Sequence, residues 1–174
     1  MLKRLASRSP FAESEPMSKI PQCLRDQSSW CLWKTIVRDG EKTKVPFQVT
    51  DKPASSTNPE TWTDFTKANA VQHLFSGLGF VFSADDPFCG VDFDGCRDPY
   101  SQQVAPWAKE WITRLNSYSE VSPSGTGVKV FGRAKSPADK GRKATVNEPT
   151  MGDKTPAVEL YDWGRYFAVT GQRL

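Results

Sequence analysis

Runs of aromatic and β-branched residues punctuate the chain, separated by two stretches in which apolar residues recur with helical spacing. The run Trp30-Cys31-Leu32-Trp33-Lys34-Thr35-Ile36-Val37, the polar turn Arg38-Asp39-Gly40-Glu41 and the run Lys44-Val45-Pro46-Phe47-Gln48-Val49 together predict a β-hairpin. A Ser/Asn/Pro loop is expected over 53–59. It precedes a helix over 61–75 that carries Trp62, Phe65, Ala68 and Val71 on one face. Residues 77–83 and 89–94 predict two strands joined by the turn Ala84-Asp85-Asp86-Pro87. Pro106 opens a second helix to Leu115, with Trp107, Trp111 and Leu115 as the stripe expected to face a sheet. After Ser119-Glu120-Val121-Ser122 come a Gly-rich turn over 123–127 and a strand over 128–131. The polar, basic stretch 133–155 is expected to be a loop, and 157–161 and 166–170 a hairpin around Asp162-Trp163-Gly164. Residues 1–19 show no apolar period and are expected to be a flexible leader, with the fold beginning near Ile20. Hairpins mixed with helices give an α+β class, with a mixed or antiparallel sheet flanked by helices.

Length limits this picture to one domain: 174 residues suffice for a single hydrophobic core and fall short of two. A net charge of +3 permits nucleic-acid binding without indicating it. No apolar run approaches the roughly 20 residues that span a bilayer, and the N-terminus lacks a signal-like apolar core, so no membrane association and a cytoplasmic location are expected. Cys23, Cys31, Cys89 and Cys96 form no CxxC pair, and His73, the only histidine, lies in another segment; no zinc is expected. A lone histidine in a surface helix also argues against a serine or cysteine hydrolase.

The chemistry concentrates in three segments. In Val91-Asp92-Phe93-Asp94 the two acids share one face of a strand and the two apolar residues the other. Two carboxylates so placed suit a hard cation such as Mg²⁺ or Mn²⁺, although taken alone they are weak evidence and fit a solvated strand end or turn better. Glu159, between Val158 and Leu160, is a candidate third ligand or an exposed strand carboxylate. Its meeting with the aspartates is not readable from the chain. The segment Ser122-Pro123-Ser124-Gly125-Thr126-Gly127-Val128-Lys129 offers hydroxyls, backbone N–H groups and a cation to phosphate oxygens, or is simply a flexible turn. It lacks P-loop spacing. Lys44 and Arg165 are candidates to hold triphosphate or template backbone. Trp30, Trp33, Trp62 and Phe65 are expected to pack in the core in preference to stacking on bases.

Taken in order, several short pieces resemble the primase-polymerase domain of the archaeo-eukaryotic primase superfamily, in the versions found in phages, plasmids and bacterial mobile elements. They are Trp30-x-x-Trp33 with Thr43-Lys44-Val45-Pro46, Asn58-Pro59-Glu60-Thr61-Trp62, Gly79-Phe80-Val81-Phe82, Gly90-Val91-Asp92-Phe93-Asp94, the 122–127 segment, and Glu159-Leu160-Tyr161-Asp162 through Arg165 to Gly171. The resemblance covers 20–174. It implies a compact primase-like core in which Asp92, Asp94 and Glu159 are catalytic and bind two Mg²⁺ or Mn²⁺ ions. Ser122, Ser124, Gly125, Thr126, Gly127, Lys129, Arg165 and Lys44 would bind nucleotide phosphates.

The family's middle motif normally ends in a histidine, and Lys129 stands there in this chain. A lysine can hold triphosphate as a point charge but cannot act as a neutral imidazole. The resemblance further implies template-dependent joining of nucleoside triphosphates on single-stranded DNA, with release of pyrophosphate, and a helicase or primer-extension module in a longer replication protein. A replication-initiation or single-strand-binding module without catalysis is the alternative, and a metal-dependent nuclease a more distant one.

Overall fold

The computed structural model describes residues 19–135, 141–151 and 154–174; apart from Lys19, the expected leader lies outside them. In chain order the elements are α1 (Gln22–Arg25), β1 (Trp30–Arg38), β2 (Glu41–Phe47), α2 (Phe65–Val71), β3 (Gly77–Phe82), β4 (Phe88–Asp94), α3 (Pro106–Leu115), β5 (Ser119–Val121), β6 (Val128–Arg133), β7 (Arg142–Thr145), β8 (Ala157–Tyr161) and β9 (Arg165–Val169). The fold is α+β, with two sheets where one was expected: β2-β1-β3-β9 and β5-β6-β4-β8-β7. Every pairing of these strands is antiparallel.

The first hairpin forms as the sequence predicts. Asp39 and Gly40 take φ of 51° and 84°, the pair of positive values that a tight turn matching strand twist demands. The strands expected over 77–83 and 89–94 form as β3 and β4, and the turn between them carries the chain from one sheet to the other. Three other expectations need correction. β8 and β9 are not a hairpin: β8 pairs with β4, and β9 with β3. Each strand finds its partner elsewhere in the chain. The expected loop over 133–155 contains β7, an edge strand exposed on both faces and so without any apolar signature. Finally, the expected helix over 61–75 shortens to α2, flanked by 3₁₀ turns at Pro59–Thr61 and Gln72–Leu74. Asp64 caps it from the Lys67 amide, while Trp62 is held back by donating Nε1–H to the Ser55 carbonyl.

Between the sheets lies a core of rings. Phe80 of β3 meets Trp30, Phe82, Phe88 and Phe131 at centroid distances of 5.3 to 6.2 Å, mostly edge to face. Trp30 and Trp33 are buried, so both belong to the packing and not to base stacking. A second cluster sits behind the five-stranded sheet, where Val91, Phe93, Val128 and Val130 pack on Trp107, Ala108 and Ile112 of α3. Trp111 and Leu115, expected in that stripe, are 49% and 42% exposed. A spacing of four residues drifts about 40° per step around a helix, which carries the later residues off the buried face.

Alternation along β4 decides where the sandwich closes and where it opens. Phe88 fills the space between the sheets. Two residues on, Gly90 lets the sheets touch: a Cβ there would lie 2.3 Å from Phe167 and 2.5 Å from Phe82. The next two positions on that face are Asp92 and Asp94, and there the sheets part into a cleft. The chain end crosses over at the β5 side, where Val121 N–H donates to the Gln172 carbonyl and Leu174 N–H to that of Ser119. Glu120 is wholly buried at this crossing and accepts from the Thr170 and Gly171 amides at 2.9 and 3.1 Å and from the Tyr118 hydroxyl at 2.8 Å. Among the described residues no helix is long and apolar enough to cross a membrane.

Candidate active site

Strand register arranges charge in a line across the five-stranded sheet. Glu120 on β5 is opposite Lys129 on β6, Lys129 is opposite Asp92 on β4, Asp92 is opposite Glu159 on β8, and Glu159 is opposite Lys143 on β7. Directly opposed residues in an antiparallel ladder share a face, so this row points toward the other sheet. Asp94 stands two residues along β4 on the same face, opposite Ala157. Asp92 and Glu159, 67 positions apart in the chain, are thus cross-strand neighbours.

Three lysines answer the three acids. Lys129 donates a short hydrogen bond to Asp92 Oδ2 and lies 4.1 Å from the centroid of the Phe167 ring; both members of the pair are largely buried. Lys154 reaches Asp94 Oδ1 at 2.9 Å, and Lys143 reaches Glu159 Oε1 at 2.5 Å. Glu159 Oε2 also accepts from the Tyr161 hydroxyl at 2.8 Å. Burial pushes the Asp92 carboxyl above its ordinary range against the pull of Lys129. For Glu159 burial acts upward too, but the hydrogen bonds from Lys143 and Tyr161 prevail and hold it below its ordinary value.

The cleft has a volume of about 430 Å³, and both sheets line it. Asp92, Asp94, Lys129, Ser122 and Ser124 come from the five-stranded side, and Lys44 of β2 and Arg165 of β9 from the other. Glu159 is buried beside this group without itself forming the wall. Gly125, Thr126 and Gly127 complete the 122–127 loop but only its serines face the cleft. A chain of hydroxyls runs from Ser122 to Ser124 at 3.0 Å and on to Thr126 at 2.9 Å. Gly127 N–H donates to Ser122 Oγ, and the buried Arg97 pins the loop by donating to the Gly125 carbonyl at 2.8 Å. Burial, with Lys129 and Lys154 nearby, lowers the pKa of Lys44. The structure therefore gathers most of the residues singled out in the sequence. It adds Lys143, Lys154, Tyr161 and Arg97, of which the two lysines fall in the stretch whose polarity had marked it as loop.

Whether these groups could hold a divalent cation turns on their donors. All are carboxylate oxygens, suited to Mg²⁺ or Mn²⁺. Asp92 Oδ1 is buried and has no hydrogen-bond partner among the described residues, an expensive arrangement that a cation would relieve. Among the described residues no three acid, His or Cys side chains are already drawn together for a metal, because each acid is turned to a lysine. A cation fits the donor set by taking over from those ammonium groups.

No protein-family model matches the chain. A DNA primase-polymerase of Nitratiruptor phage NrS-1 is 35% identical to it over 154 residues, 87% of its length. The chain resembles a primase-polymerase domain. It spans about a fifth, 20%, of the length of that primase-polymerase.

Proposed function

We propose that the cleft joins nucleoside triphosphates to a growing strand on a single-stranded DNA template, as a primase or polymerase. The observation that carries this is the register pairing of Asp92 with Glu159, with Asp94 on the same face and phosphate-seeking groups around them. The similarity to a DNA primase-polymerase over most of the chain supports it. Asp92, Asp94 and Glu159 would hold one or two Mg²⁺ or Mn²⁺ ions. Bound there, the ions would supply the charge that acidifies the attacking hydroxyl and neutralises the leaving phosphates.

The chain's own groups account for binding and orientation. Ser122, Ser124 and Lys129 on one wall and Lys44 and Arg165 on the other offer donors to triphosphate oxygens from two sides. The 3′-oxygen bonds to the α-phosphorus as the α–β bridging P–O bond breaks, pyrophosphate leaves, and the hydroxyl proton passes to solvent through the open cleft. The Phe167 ring and the core behind it keep Lys129 aimed and exclude water from that side. A helicase or primer-extension module, in cis or in trans, would deliver unpaired template.

One observation favours a DNA-binding module without catalysis: Lys129 occupies an oxygen of Asp92 where the family has a histidine. Incubating the protein with single-stranded DNA, labelled nucleotides and Mg²⁺ or Mn²⁺, with and without primer, separates the readings. Products from the wild type and none from Asp92→Ala/Asp94→Ala support synthesis, and unprimed products identify a primase. Equal DNA binding by both proteins with no product from either supports the binding module. Shortening of the added single-stranded DNA indicates a nuclease.

A further inference from the structure

The lysines on the three acids are not equivalent. Lys129 is 8% exposed at its side chain, while Lys154 and Lys143 are 49% and 59% exposed, so these two ammonium groups reach water even while paired. Their backbones, in contrast, are held in place. Gly95 has φ of +62°, and a Cβ on it would sit 2.2 Å from the Lys154 carbonyl oxygen, so the segment bearing Lys154 is pressed against the end of β4 beside Asp94. Met151 N–H donates to the Gly95 carbonyl, and Val146 N–H to that of Pro156. Lys143 is kept in register with Glu159 by the β7–β8 ladder. A fixed root with a swinging ammonium is the geometry of a group that serves two partners.

Charge identifies the second partner. A divalent cation on Asp94 and Glu159 would repel both ammonium groups from the carboxylates they now hold. The anion that such a cation brings is the triphosphate, in a cleft whose wall Lys154 already shares with Lys44, Lys129 and Arg165.

We propose that Lys154 is an exchange cation: it neutralises Asp94 until a divalent cation arrives and then holds the triphosphate that comes with it. Lys154 therefore opposes binding of the metal alone and favours binding of the nucleotide once metal is present. The inference rests on the reading of the cleft as a nucleotide site. Opposite signs in two binding measurements distinguish this role from a merely structural ion pair, whose loss would weaken both or neither.

Free Mn²⁺, followed by its electron paramagnetic resonance signal, is titrated into the wild type and into Lys154→Met, Lys154→Arg and Asp92→Asn/Asp94→Asn. Lys154→Met is expected to bind Mn²⁺ about 2- to 5-fold more tightly, the scale of one exposed ion pair, with Lys154→Arg near wild type. At saturating Mn²⁺, a nucleoside triphosphate with a non-hydrolysable α,β-methylene bridge is expected to bind Lys154→Met about 3- to 10-fold more weakly. Unchanged or weaker Mn²⁺ binding by Lys154→Met overturns the proposal, as does unchanged triphosphate binding. If the wild type binds Mn²⁺ no better than Asp92→Asn/Asp94→Asn, the reading of the cleft falls with it.

Discussion

Replacing Glu120 by Gln tests how the two sheets are tied together. Its Oε2 accepts from Tyr118 OH and Gly171 N–H, and its Oε1 from Thr170 N–H. Glutamine has one acceptor oxygen. Turned to keep the two bonds at the Oε2 position, it sets its own NH₂ against the Thr170 N–H, leaving buried donors facing each other. One such loss costs about 1–3 kcal/mol, and Glu120→Ala, which strands three donors and opens a cavity, about 4 kcal/mol or more. Urea unfolding at pH 7 reads both values. A pH series adds an independent check. Burial raises the Glu120 carboxyl above its ordinary range despite the three donors. An acid raised in the folded state stabilises fully below its unfolded pKa of about 4.5, and that stability is lost as pH rises through the folded value. Wild type should therefore lose stability over that window relative to Glu120→Gln, which does not titrate. A Gln variant within about 0.5 kcal/mol of wild type, the roughly neutral range of surface substitutions, and a flat pH difference would show that Glu120 does not tie the sheets.

Gly90→Ala should cost about 1–3 kcal/mol in a thermal melt, since the new methyl meets the buried Phe167 and Phe82 rings, and an unchanged melt contradicts this. Burial raises the phenols of Tyr118 and Tyr166, so the stability they confer is present below about pH 10 and lost above it. Their phenolate absorbance should then appear only with alkaline unfolding, and smooth titration of all four tyrosines in the folded chain would contradict it. Burial likewise pushes the Cys31 and Cys96 thiols up to about 12, so a disulfide reagent at pH 8 should modify the half-exposed Cys23 and spare these two; rapid labelling of either counts against the packing. Lys44→Met should raise the nucleotide KM about tenfold, or 1.4 kcal/mol, with kcat little changed, and a fall in kcat alone would place Lys44 elsewhere in the reaction.

Local chemistry made parts of the fold legible. Asp39-Gly40 specified its turn, Pro106 began α3, and Asn116, at φ 43°, ended that helix where the apolar spacing ran out. The shared face of Asp92 and Asp94 followed from the period of a strand. Partnership between distant strands did not follow from any local signal. β8 and β9 lie three residues apart and look like a hairpin, yet belong to different sheets because β4 and β3 offer each its own edge. Glu120 and Glu159 are both single acids in short strands. Only the crossing of the chain end over β5 makes the first a structural tie, and only the β4–β8 register brings the second to the aspartates. Lys143 was hidden for a different reason: an exposed edge strand carries no alternation, so its polarity imitates a loop. Lys154 lies in the irregular segment between β7 and β8, where no period points to a site.

The carboxylates on β4 and β8 are proposed to carry the chemistry, and a single-turnover measurement addresses this without interference from product release. Protein in excess over a primed single-stranded template is mixed with one nucleotide and Mn²⁺, and the rate of single-nucleotide addition is followed for wild type, Asp94→Asn and Glu159→Gln. Wild type is expected to add the nucleotide, and each variant to lose at least about 10²-fold in rate with template binding retained. Addition at wild-type rate by Asp94→Asn would contradict it.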